Sequence, residues 1–239
     1  MTPLQTAASQ TFEYQGSELG IFEKAVHWKR YWSTKIRPYV CGDVLEVGAG
    51  IGANTRLLAR EMPFRSWTCL EPDATLAAHI RIPAPGIHAV CGTVADLPRV
   101  ASFDSILYVD VLEHIGDDRA EMVQAAALLK PGGHLIVLSP AHQFLYTPFD
   151  AAIGHFRRYS RRTLADAIPR ELRQQTLMYM DSVGMLASLA NRVLLSQSMP
   201  TEGQILLWDR MLVPLSRLVD PLCAGRLGKS VLGVWRQVS

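Results

Sequence analysis

Between Asp43 and Leu138 the chain alternates short apolar runs with helix-like segments. The runs predict strands at Val44–Val47, Ser66–Leu70, Ile87–Cys91, Ser105–Tyr108 and Leu135–Ser139. The stretches between them predict helices at Asn54–Glu61, Ala74–Ile80 and Asp118–Leu129. Strands separated by helices pair in parallel through right-handed crossovers, so this part is expected to be a doubly wound α/β sheet. Further on, a helix is predicted at Arg161–Pro169 and two last strands at Thr176–Val183 and Ser230–Gln237. The segment between those strands, Gly184–Lys229, is too long for a plain hairpin connection. It is expected to fold as two or three amphipathic helices and to serve as a lid, a pocket wall or a dimer contact. Residues 1–40 read as a helical, aromatic-rich cap, with Trp28, Tyr31 and Trp32 close together. The whole is read as one domain: cap 1–40, core 41–183, helical insertion 184–229 and last strand 230–239.

The first predicted strand runs directly into glycines. Val44–Thr55 reads VLEVGAGIGANT, with Gly48, Gly50 and Gly52 between a strand and a helix. Glycines permit a sharp turn and close approach of a ligand to the backbone, and the following helix offers unpaired N–H groups. Glu71 closes the next strand, 21 residues beyond Gly50, at the offset of a carboxylate that accepts from ribose hydroxyls. Together these features indicate a nucleoside ligand. Gly48, Gly50 and Ala53 also satisfy G-x-G-x-x-A, so a nicotinamide or flavin enzyme stays open. Glu46, two residues before Gly48, tips the balance, because its charge suits a cationic ammonium and sulfonium better than a pyrophosphate.

Four ordered segments, Val44–Thr55, Leu70–Asp73, Phe103–Ile115 and Leu129–Val137, resemble those of class I S-adenosylmethionine-dependent methyltransferases. The resemblance implies a Rossmann-like, seven-stranded, mostly parallel sheet with a reversed hairpin at one edge, and S-adenosyl-L-methionine as cofactor. It implies that Glu46 and the Gly48–Gly52 turn, with Ala49, Asn54 and Thr55, hold the methionine portion. Glu71 would hold the ribose and Pro72 would lie near the adenine. Thr93 stands where the family commonly has aspartate, leaving Thr93, Val94 and Asp96 as alternative adenine contacts. Asp110 is expected to line the cofactor pocket. Trp28 and Trp32, four residues apart, either pack or cap the cofactor with aromatic faces near the sulfonium.

Methyl transfer is an in-line displacement at an already activated carbon, so the protein contributes positioning and, where needed, removal of a proton. Two histidines are candidate bases. His114 ends DVLEH after the fourth strand, and its imidazole titrates near neutrality. His155 lies beyond the fifth strand with Asp150, Arg157, Arg158 and Tyr159 in D-x-x-x-G-H-x-R-R-Y, resembling a subgroup of bacterial class I methyltransferases. If that segment is helical, His155 and Tyr159 share a face, with His155 taking a proton while Tyr159 orients the acceptor. Arg157 or Arg158 could then grip a carboxylate or phosphate. The competing reading is a solvated basic face, with six arginines from His155 to Arg173 against Asp166 and Glu171.

Composition narrows the classes without choosing among them. At 239 residues, 49% hydrophobic and 19% charged, the chain suits a globular domain and not a disordered segment. A net charge of +2 argues against wholesale nucleic-acid binding. The position after the fourth strand reads DVLE, without the motif of base methylation. No HxH or paired-carboxylate metal pattern is seen. Cys41, Cys69, Cys91 and Cys223 lack paired spacing and are expected as reduced core thiols. With no signal-peptide pattern and no uninterrupted membrane-length run, the expected location is cytoplasmic. The leading expectation is a metal-independent methyltransferase acting on oxygen, nitrogen or carbon of a small molecule, which the arginines allow to be anionic. A lipid, quinone or glycan acceptor at a membrane surface is the second reading, and a homodimer is compatible with either. A non-catalytic nucleoside-binding protein and a nicotinamide-dependent dehydrogenase complete the alternatives.

Overall fold

A computed structural model describes residues 19–194 and 201–238. Two helices come first, α1 (Leu19–Glu23) and α2 (Val26–Ile36). The alternating core follows: β1 (Asp43–Val47), α3 (Ala53–Glu61), β2 (Ser66–Glu71), α4 (Ala74–His79), β3 (Ile87–Cys91), β4 (Phe103–Val109), α5 (Asp118–Ala127) and β5 (Leu129–Pro140). Then come α6 (Pro148–Ala152), α7 (Arg161–Ala167), β6 (Leu172–Met180), α8 (Ser182–Leu194), α9 (Glu202–Leu207), α10 (Val213–Val219) and β7 (Ser230–Gln237). One π-helical turn, Trp208–Leu212, joins α9 to α10. The strand order is β3-β2-β1-β4-β5-β7-β6, parallel from β3 to β5, with β7 antiparallel to both neighbours. This is the expected seven-stranded, mostly parallel sheet with a reversed hairpin.

Successive strand residues point to opposite faces, and each face carries its own core. Val44, Leu107, Ile136 and Leu138 pack on the side of Trp28, Trp32, Trp67 and Trp208. Their neighbours Leu45, Ile106, Leu135 and Val137 pack on the side of Met122, Leu164 and Tyr159. Strands covered on both faces read as continuous apolar runs, which is why β1, β4 and β5 stand out in the sequence.

Two elements are displaced from expectation. β6 begins at Leu172, not Thr176, and ends at Met180, not Val183. It is an edge strand paired only with β7, so its exposed start, Arg173–Gln175, carries polar residues and gives no apolar signal. Its end is set by Asp181 at φ 66°, after which α8 takes Val183. The second displacement is at β5, which starts at Leu129 and not Leu135. The cysteine expectation holds only for Cys69, which is buried, whereas Cys41 and Cys91 are exposed and Cys223 is half-buried.

Two buried aspartates bind the helical insertion to the sheet. Asp220 accepts from the N–H groups of Asp181 (2.7 Å) and Ser182 (2.9 Å) and from Tyr31 Oη (2.8 Å). Asp181 accepts from Ser216 Oγ (2.6 Å) and Trp208 Nε1 (2.7 Å). These bonds join α2, α8, α10 and the β6 end through groups that water does not reach. The expected residues 1–18 of the cap, and residues 195–200 within the insertion, lie outside the described residues.

Candidate functional site

A cavity of about 870 Å³ opens at the C-terminal ends of the parallel strands. That volume lies toward the upper end of the roughly 300–1,000 Å³ typical of ligand sites and leaves room for two small molecules side by side. The Gly48–Ile51 turn, Glu71 and Pro72, and Thr93 and Val94 form one end of it. Trp28 and Trp32 of α2, with Ile205 and Trp208 from the insertion, make an aromatic and apolar wall. The insertion thus contributes side chains to the cavity lining.

Main-chain geometry dominates the glycine end. Gly48, Gly50 and Gly52 all have positive φ. At Gly48 a Cβ would stand 2.6 Å from Val111 Cγ2, so a larger residue would have to push the post-β4 loop away. Glu71, 4% exposed, joins two turns: Oε2 accepts from Gly50 N–H at 2.8 Å and Oε1 from Asp73 N–H at 3.0 Å. Each oxygen keeps acceptor capacity beyond that single bond, so the carboxylate can still receive hydroxyl donors in the cavity. Burial raises its pKa. A nucleoside with a vicinal diol fits this donor and acceptor set, and the neighbouring apolar Val94 and Pro72 suit a base.

Of the other residues expected at this end, Trp28, Ala49, Asn54, Thr93 and Val94 line the cavity. Asp96 does not: its carboxylate caps Thr93, accepting from both N–H and Oγ1 at 2.8 Å. Glu46 is also turned away. It is 2% exposed and accepts from Thr55 Oγ1 at 2.6 Å and Trp67 Nε1 at 2.9 Å, behind the turn. Burial pushes its carboxyl up to about 7. Glu46, Thr55 and Gly52 therefore stand behind the turn and not in the cavity lining, because β1 directs Glu46 to the Trp67 side. Gly52 instead precedes α3 as its N-cap.

The far end of the cavity is polar and is assembled from the loops after β4 and β5. Asp110 enters with φ 54° and faces the cavity; burial raises its pKa to about 6, offset by His155 and Lys229. Glu113 is fully buried, and neither of its oxygens has a hydrogen-bond partner among the described residues. Burial, with Asp110 close by, pushes its carboxyl well above the usual range. His114 and His155 lie edge-to-face with ring centroids 4.5 Å apart. Burial, and secondarily His155, lowers His114 to about 4. His155 Nδ1 lies 2.9 Å from Asp150 Oδ1, and Arg158 grips the same aspartate through Nε (2.8 Å) and Nη2 (2.9 Å).

Two expectations for this end need correction. Residues 155–158 are not helical, so His155 and Tyr159 share no face. Tyr159 is 1% exposed and lies off the cavity, donating to Asp118 Oδ2 at 2.7 Å, with its phenol pKa pushed far up chiefly by burial. Arg157 and Arg158 are held by Asp118 and Asp150, so neither is a free anion grip. One ligand-competent atom each of Glu113, His114 and His155 lies within 4.8 Å of the others. Lys229 is a further lining residue that the sequence did not single out. Its Nζ sits 3.6 Å over the Trp208 ring, and no local motif announces it.

The methyltransferase-domain family profile matches residues 23–170. A demethylmenaquinone methyltransferase of Tropheryma whipplei is 33% identical over 122 residues, covering 51% of this chain and 51% of that protein. A ubiquinone biosynthesis O-methyltransferase of Xylella fastidiosa is 35% identical over 100 residues, covering 39% and 40%. The chain thus spans about half of the length of the first relative and two fifths of the second. Among solved structures, phosphoethanolamine N-methyltransferase 2 of Haemonchus contortus, in complex with S-adenosyl-L-methionine, superposes with a TM-score of 0.65 at 15% identity. That match covers 100% of this chain and 62% of the other and speaks to the fold.

Proposed function

The chain belongs to the methyltransferase-domain family, and from that premise we propose that it transfers a methyl group from S-adenosyl-L-methionine to a nucleophilic atom of a small molecule. The observation that carries this reading is the paired turn: Glu71 bonded to Gly50 and Asp73, beside a cavity with space left over. When bound, the cofactor supplies a methyl carbon made electrophilic by its sulfonium. Glu71 receives the ribose hydroxyls, Pro72, Thr93 and Val94 flank the base, and Asn54 and the Gly48–Gly50 turn meet the amino-acid end. Trp28, Trp32 and Trp208 exclude water and present aromatic faces where a cation is stabilised. The acceptor lies between this wall and the polar end, with its nucleophile toward Glu113, His114 and His155. Asp150, itself held by Arg158, fixes the His155 ring for activating that nucleophile.

Thermal unfolding with candidate ligands tests the proposal. S-adenosyl-L-methionine and its demethylated product are expected to raise the melting temperature, and NAD to leave it unchanged. Stabilisation by NAD alone would replace this reading with a dehydrogenase. Stabilisation by the methyl donor without transfer to any acceptor would favour a non-catalytic nucleoside-binding protein.

A second reading places the same chemistry on a lipid-borne acceptor. Leu207, Met211, Leu215 and Leu218 recur at four-, four- and three-residue spacing along α9 and α10, and all are exposed. The same segment lines the cavity with Ile205 and Trp208, so a surface covering that apolar row would lie beside the site. The quinone-related names of the two sequence relatives fit this reading. No described helix is long and apolar enough to cross a membrane. Sedimentation with phosphatidylglycerol vesicles is expected to carry the protein down; recovery wholly in the supernatant at low salt would remove this reading.

A further inference from the structure

Glu113 is the carboxylate among the described residues whose buried side-chain polar atoms lack a hydrogen-bond partner, the other residues with such an atom being Ser139, His142 and Gln237. Its carboxylate is fully buried and lacks a hydrogen-bond partner for either oxygen among the described residues. Buried carboxylates are normally paired, hydrogen-bonded or bound to a cation. Two imidazoles stand beside it, with Oε1 3.8 Å from His155 Nε2. One ligand-competent atom of Glu113, His114 and His155 lies within 4.8 Å of the other two. Ligand atoms that share a cation at about 2.0–2.2 Å are themselves roughly 3–4 Å apart, close to the spacing found here.

The outer nitrogen of His155 is already engaged, as in metal-bound histidines. His155 Nδ1 meets Asp150 Oδ1 at 2.9 Å, which directs Nε2 toward Glu113. Asp150 is fixed in turn by Arg158 and by Thr147 N–H at 2.8 Å. The Ile153 backbone holds His114. All three residues also line the cavity, so a cation bound by them would keep positions open to a ligand.

We propose that Glu113, His114 and His155 form a binding site for a divalent transition-metal cation of the class that accepts imidazole and carboxylate ligands, such as Zn²⁺ or Mn²⁺. Its role in turnover rests on the methyl-transfer reading above and narrows the acceptor to one that presents a hydroxyl. A hydroxyl oxygen on the cation gives up its proton to water. The oxygen then forms a bond to the methyl carbon as the S–CH₃ bond breaks, giving a methyl ether and a neutral thioether. On this proposal the transfer is metal-assisted, where the sequence reading expects metal independence.

Untagged full-length protein, stripped with chelator and titrated with Co²⁺, provides the test through visible d–d absorption. The unmodified chain is expected to develop a saturable band that Zn²⁺ abolishes by displacement. Glu113→Gln and His155→Ala should each weaken Co²⁺ binding by at least roughly tenfold. His88→Ala, at an exposed position of β3, should leave it unchanged. A melting shift with S-adenosyl-L-methionine shows that each variant remains folded, and its absence from the unmodified chain counts against the methyl-transfer reading alone. No band at millimolar Co²⁺, or equal affinity in folded Glu113→Gln and His155→Ala, would overturn the site.

Discussion

The two ends of the cavity are built by different rules. At the glycine end, one continuous segment supplies the turn, and the ligand-facing groups are mostly backbone at positive φ, with Glu71 locking the turn in place. At the far end, the groups are side chains from loops after two different strands, close enough to perturb one another. Backbone geometry recognises a ligand that does not vary, whereas side chains from separate loops can be exchanged to suit a different acceptor. On the proposed methyl-transfer reading, the difference would separate holding a cofactor from choosing what it reacts with.

The largest expected effect tests whether the two ends are separable. His155→Ala should lower turnover by roughly 10²–10⁴-fold while leaving S-adenosyl-L-methionine affinity, measured by calorimetry, within about twofold. An equal loss of both would merge the two ends into one unit. Glu46→Gln probes the buried support behind the glycine turn. In the ligand-free protein Glu46 keeps its proton up to about 7, whereas the unfolded chain releases it near the ordinary 4.5. Between those values the native state binds more protons, so stability falls as pH rises, by a total on the order of 3 kcal/mol. Denaturant midpoints across that interval should show the slope in the unmodified protein and lose Glu46's share in the glutamine variant. If the slope is unchanged, Glu46 is not the group responsible. Smallest is Glu71→Ala, expected to weaken cofactor binding roughly tenfold with turnover nearly normal at saturating cofactor. A turnover defect that saturation does not relieve would show that Glu71 also shapes the polar end.

Legibility in the sequence follows the same division. The β1 turn was readable because strand, glycines and helix are consecutive, and Glu71 follows at a fixed distance. Glu113 and His155 become neighbours only when β4 and β5 pair, and no local spacing encodes that meeting. Charge was visible at Arg157 and Arg158, but their partners were not: Asp118 and Asp150 neutralise them across loops. Tyr159 misled because a four-residue spacing implies a shared face only on a helix, and this stretch is irregular. β6 was misplaced because an edge strand has less to bury, so its polar start carries no apolar signature. Glu46 shows a subtler gap: a carboxylate two residues before the glycines is apparent in sequence, but not the side of β1 to which it turns.

The aspartate junction beneath the helical wall has a consequence for motion. Asp181 and Asp220 bind the backbone and side chains of α2, α8 and α10 from inside, so bending one of these helices alone would strand a carboxylate without its donors. In hydrogen–deuterium exchange, the amides of Asp181 and Ser182 should therefore be protected like those of the central strands, although they lie at the junction of β6 and α8. Protection of these amides would mark the wall as a part that moves with the sheet, and their rapid exchange would mark it as one that moves alone.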